Sequence, residues 1–89
     1  MKEVKITKPT QQQLKELKVD TWPIWECEIS KFDWYYDEDE TCYILEGKVI
    51  VETEDGKKYE IQKGDLVTFP KGLKCVWDVK EPIRKRYSF

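Results

Sequence analysis

The chain has 89 residues, with 16 basic and 18 acidic side chains, a formal charge of -2 and a pI near 5.2. That balance carries no electrostatic footprint for nucleic acid, and no run of about 18 apolar residues exists to span a membrane. Cys27, Cys42 and Cys75 form an odd set without C-x2-C spacing, which excludes a disulfide framework and a zinc ribbon.

One domain over residues 1–89 is the expectation for this length. A chain so short buries only about 60–65% of its unfolded surface, so its core must be dense in large residues. Four Trp, five Tyr and three Phe supply that density, Ala is absent, and the aromatics favour strands. The absence of an apolar stretch at the N-terminus argues against a secretory signal, and the cysteine usage points to the cytoplasm. Abundant Lys and Glu without Asn is a composition of thermostable proteins.

Val4 and Ile6 alternate with polar residues and predict a strand at 2–7. Thr10 and Gln13 fit a capping box, so a short helix is expected over about 10–18, which must dock Leu14 and Leu17 on some other part of the chain. Trp25, Cys27 and Ile29 occupy odd positions, whereas Phe32, Trp34 and Tyr36 occupy even ones. The phase switch near Ser30-Lys31 predicts a bulge or bend between two strands. Glu40, Cys42 and Ile44 share one face of the next strand, which should bend at Gly47 before Val49 and Val51 resume the alternation. Asp55-Gly56 predicts a hairpin of the I′ kind. Gly64-Asp65 reverses the chain, and Phe69-Pro70-Lys71-Gly72 suits a type I turn. Cys75, Trp77 and Val79 share a face. Pro82 is expected to interrupt, leaving Ile83 to Phe89 as a final strand. Short strands at this spacing imply an all-β barrel or sandwich.

Residues 64–75, GDLVTFPKGLKC, have the spacing G-x5-P-x-G-x2-C. This resembles the second cupin motif, with Cys75 where that family carries a metal-binding histidine. Glu40 and Gly47 match the E-x6-G end of the first motif, but its two histidine positions fall on Trp34 and Tyr36, or on Asp33 and Tyr35. The resemblance covers roughly residues 30–80 and implies a cupin-type jelly-roll β-barrel with one short N-terminal helix. DETCYILEG, GDLVTFPKGLKCVWDV and EPIRKRY are similar to a subfamily of single-domain bacterial cupins related to (S)-ureidoglycine aminohydrolase. That enzyme's manganese chemistry is not carried over, because the imidazole ligands are missing.

Strand parity turns Glu40, Cys42, Cys75 and Trp77 inward, joined by Trp34 and Tyr36. These six form a candidate ligand site, with rings for stacking and Glu40 as polar anchor; filling the barrel as plain core is the competing reading. No cofactor is expected: Glu40, Cys75 and a Tyr make too thin a ligand set for a divalent ion. Cys75 lacks the base or cation that activates a nucleophile and is read as structural. Arg84-Lys85-Arg86 is read as a charged edge strand, with anion binding at the barrel mouth as the alternative. Trp22 and Trp25 are expected at an interface of a homodimer. A small-molecule-binding cupin is the leading function. A hydrolase or isomerase with Glu40 as acid/base is the alternative, and an interaction module with a filled barrel is a third.

Overall fold

The computed structural model describes residues 3–89. In chain order the elements are β1 (Lys5–Thr7), α1 (Gln11–Leu17), a 3₁₀ turn (Val19–Thr21), β2 (Ile24–Cys27), β3 (Ser30–Tyr35), β4 (Glu40–Thr53), β5 (Lys58–Gln62), β6 (Leu66–Phe69) and β7 (Lys74–Ser88). Every strand pairing is antiparallel, and β4 and β7 pair with each other along most of their length.

The fold follows from a bend in those two long strands. Trp77 and Lys85 lie eight residues apart in β7, which would separate them by about 27 Å in a straight strand. Instead the Lys85 ammonium sits 4.8 Å from the centre of the Trp77 ring. The bend lies where Gly47 meets Pro82, and the β4–β7 register shifts between Ile44 and Val49. Gly47 has φ of +94°, and a Cβ there would stand 2.1 Å from the Pro82 carbonyl oxygen. Only glycine fits that approach.

The bend divides the strands between two facing leaves, the jelly-roll arrangement expected from the sequence. One leaf holds β1, β6, the start of β4, the end of β7 and β2. The other holds β5, the end of β4, the start of β7 and β3. Alternation then turns Cys42, Ile44, Val49 and Val51 of β4 inward, to meet Val67, Phe69, Trp77, Val79 and Ile83. Each fully buried aliphatic or aromatic side chain contributes about 1.5–3 kcal/mol, which is how so small a chain holds together.

Four local expectations are corrected. The Asp55-Gly56 turn is a three-residue loop, closed by Thr53 and Lys57, with positive φ at Gly56 alone; a I′ turn needs two such residues. The second turn runs one residue later, with the Leu73 amide donating to the Pro70 carbonyl at 3.3 Å. Gly72 occupies its third position with φ of +84°, a type II geometry rather than type I. Pro82 does not interrupt β7, because its missing N–H falls at the register shift where no ladder bond is needed. Finally, α1 has the capping box expected of Thr10 and Gln13, but it buries no residue and Leu17 is 44% exposed. Val19, in the turn that follows, is buried instead. Of the strand expected at 2–7, residue 2 lies outside the described residues.

Candidate functional site

One end of the interior is lined with rings. A cavity of about 210 Å³ lies among Trp25, Phe32, Trp34, Tyr36, Glu40, Trp77, Lys85, Tyr87 and Phe89. β2 and β3 carry Trp25, Phe32 and Trp34 on the inward side of the phase switch, which falls between Cys27 and Ser30. Tyr36 follows β3 and is pinned by two backbone bonds, its amide to the Leu73 carbonyl and its carbonyl to the Gly72 amide. The type II turn at Pro70–Leu73 therefore sets the position of the Tyr36 ring, which stacks on Phe69 at 4.6 Å. Trp77 packs edge-on to Trp25 at 5.9 Å and parallel to Phe32 at 6.2 Å. Trp34 is 45% exposed and Phe89 is 69% exposed, so these two rings stand at the mouth.

The polar end is an ion pair. The Lys85 ammonium donates to Glu40 Oε2 at 2.7 Å, and both side chains are buried. Lys85 also lies 5.1 Å from the Trp25 ring centre and 4.8 Å from that of Trp77. Both distances fall within cation–π range. Glu40 starts β4 and Lys85 lies near the end of β7, strands that pair in the same leaf.

Arg84-Lys85-Arg86 is thus not a charged edge. β7 is an internal strand, flanked by β4 on one side and by β2 and β3 on the other. Arg84 is exposed as expected, beside Glu26, whereas Arg86 is half-buried and donates to the Trp22 carbonyl at 2.8 Å. The signal for Lys85 was its parity: Ile83, Lys85 and Tyr87 share one face, and Ile83 is core. Trp25 likewise faces inward, and Trp22 is half-buried, so neither is the exposed interface residue expected.

Of the six candidate residues, Trp34, Tyr36, Glu40 and Trp77 meet at this cavity. Cys42 and Cys75 do not line it. Cys42 is fully buried in the core, and Cys75 lines a separate groove with Trp34, Tyr35 and Glu52. Burial pushes the Cys42 thiol up to about 12; Lys85 opposes this and Glu40 adds to it. The Cys75 thiol rises to about 11, again through burial, with Trp77 acting in the opposite sense. Neither is an activated nucleophile. Burial, reinforced by the Glu40 carboxylate, also holds the Tyr36 hydroxyl above its ordinary range. The Tyr36 hydroxyl and the Trp77 indole N–H are buried and make no hydrogen bond of good geometry among the described residues, although Trp77 lies close enough to oppose the rise at Tyr36.

Residues 14–87 match the model of the EutQ-like cupin domain, and the chain belongs to that family. A protein of the DUF861 family from Thermotoga maritima is 72% identical, with a TM-score of 0.97 over 98% of this chain and 99% of its own. The EutQ protein of Clostridium difficile shares the fold at 24% identity and a TM-score of 0.67, over 97% of this chain and 66% of its own. The ethanolamine utilization protein Q of Salmonella typhimurium does so at 24% identity and 0.64, over 94% and 66%. A comparison with curated proteins finds no match.

The divalent metal that cupin domains commonly hold does not fit these residues. Glu40 is the one carboxylate lining the cavity, and the Lys85 ammonium already occupies its Oε2. Among the described residues, no three His, Cys, Asp or Glu side chains gather as a ligand set. No helix among them is long and apolar enough to cross a membrane.

Proposed function

We propose that this cupin domain binds a small organic ligand in the ring-lined cavity, with Trp25, Trp34, Tyr36 and Trp77 as walls and Glu40 as polar anchor. The observation that carries this reading is the buried Glu40–Lys85 pair at the end of an otherwise aromatic cavity. A buried ion pair adds little or nothing to stability compared with apolar side chains of the same size. Fold alone gives weak reason to keep one there, whereas polar groups set in an apolar concavity are the usual make-up of a ligand site. A thermal-shift screen against a metabolite panel tests it. A hit that raises the melting midpoint and is lost in Trp34→Ala supports the reading, and a panel without hits counts against it.

The alternative is a hydrolase or isomerase related to (S)-ureidoglycine aminohydrolase, with Glu40 as acid/base group. Its support is that Glu40 lines the cavity while only 4% exposed. Turnover abolished in Glu40→Gln, with the circular dichroism spectrum unchanged, would establish it. A cavity that takes up no ligand and turns over none leaves the interaction-module reading.

The domain is proposed to work as a homodimer. β2 and β3 form an outer edge that exposes Ile24, Ile29, Trp34 and Tyr35, which is apolar surface suited to a second copy. A monomer by sedimentation at micromolar concentration would refute this. All three cysteines are free thiols, in keeping with a cytoplasmic setting.

A further inference from the structure

The charged groups at the closed end of the cavity make a first selection among guests. Lysine has three N–H donors. Lys85 gives one to Glu40 Oε2 and finds no other acceptor among the described residues. Its two remaining N–H bonds are unspent at the cavity, while the Tyr36 hydroxyl and the Trp77 N–H lie close to each other with no surface that a guest could reach. The Glu40 carboxylate accepts only from Lys85 among the described residues. Unmade hydrogen bonds of buried groups are costly, so a guest must at least offer an acceptor to Lys85.

Charge makes a second selection. Glu40 and Lys85 cancel, so the cavity is neutral as built. Either sign of charge on a guest would leave one buried charge uncompensated. A cation is excluded twice over, because Lys85 already occupies the aromatic cage of Trp25 and Trp77. Size makes the third selection. At about 210 Å³ the space exceeds the roughly 150 Å³ of an engineered apolar cavity that admits benzene.

From these three selections we infer that the cavity takes an uncharged, flat, carbonyl-bearing molecule slightly larger than benzene, whose oxygen accepts from the Lys85 ammonium. Lys85 thus supplies, as a fixed ammonium, the positive end that a metal would supply in other cupin sites, and Glu40 serves as its counter-ion. This rests on the ligand-binding reading above and names its substrate class.

The test is a titration of the full chain with four compounds of similar shape, followed by the indole N–H resonances of Trp25 and Trp77. Acetophenone is uncharged and offers an acceptor only, ethylbenzene offers none, benzoate is an anion and benzylamine a cation. Acetophenone is expected to bind about tenfold or more tightly than ethylbenzene, and more tightly than both charged compounds. The double variant Glu40→Gln/Lys85→Met keeps the cavity neutral and is expected to bring acetophenone and ethylbenzene close to parity. Ethylbenzene binding as well as acetophenone would overturn the inference while leaving a ligand cavity in place. Benzoate or benzylamine binding most tightly would do the same. No response to any of the four would remove the ligand-binding reading together with it.

Discussion

The two ends of the interior are both built on β4 and β7 and differ in kind. Toward β5, Val49, Val51, Ile61 and Val79 meet as branched aliphatics, each with essentially no exposure. Toward β2, the same β4 and β7 present Glu40 and Lys85 to a wall of tryptophans, and a cavity remains. Branched side chains on a pleated surface interdigitate to near-crystalline density. Rigid planar rings meeting edge to face around two charges do not close up in the same way. One end therefore behaves as stability and the other as a site, and substitutions should separate them.

The largest effect is expected at the ion pair. Lys85→Met strands the Glu40 carboxylate among rings and should cost about 3–5 kcal/mol in urea unfolding. Adding Glu40→Gln should restore most of that loss. If the double variant were no better than the single one, the pair would be a structural support and the contrast between the two ends would collapse.

Next comes the hinge that makes both ends possible. Gly47→Ala places a methyl against the Pro82 carbonyl at a backbone angle that L-residues avoid. A loss of about 2–4 kcal/mol is expected, measured as a lower denaturation midpoint. A loss within about 0.5 kcal/mol, the range of ordinary surface changes, would mean that the bend relaxes freely.

A smaller effect is expected with pH. Cys42 and Tyr36 both titrate higher when folded than when unfolded, because burial disfavours their charged forms. Their contribution is fully present below the ordinary thiol and phenol ranges. It is lost as pH rises from about 9, where the unfolded thiol ionises, toward about 12. Thermal midpoints should therefore fall over that range, and native protein at pH 8 should resist alkylation at Cys42 and Cys75. Rapid labelling of either would contradict the burial that separates them from the cavity mouth.

The smallest effect is expected at that mouth. Trp34→Ala removes a ring that is 45% exposed and should lower stability by no more than about 1 kcal/mol, while weakening any cavity ligand.

Much of this was legible in the chain because it is local. Period-two alternation identified the inward residues of β4, and the Thr10–Gln13 pair announced the start of α1. The phase switch expected near Ser30-Lys31 marked the β2–β3 junction, which falls slightly earlier and leaves Ile29 exposed. Glycine and proline spacing carried the family, and Gly47 and the turn at Pro70–Leu73 now show what that spacing does for the backbone. Trp34, Tyr36, Glu40 and Trp77 were brought together by parity alone. Cys42 and Cys75 share that parity yet do not line the cavity, because parity selects a face of the sheet and not a position along it.

Lys85 belongs to the other class. Beside two arginines it reads as solvated charge, and nothing nearby in sequence reveals Glu40, 45 residues away, as its partner. That β7 is central rather than peripheral, and that it bends enough for Trp77 to meet Lys85, depends on which strands lie on either side of it. Alternation and turn chemistry act between neighbours along the backbone, so strands, caps and inward faces are written in residue order. Strand order and the depth of a charge arise from contacts across the whole chain, which no local pattern encodes.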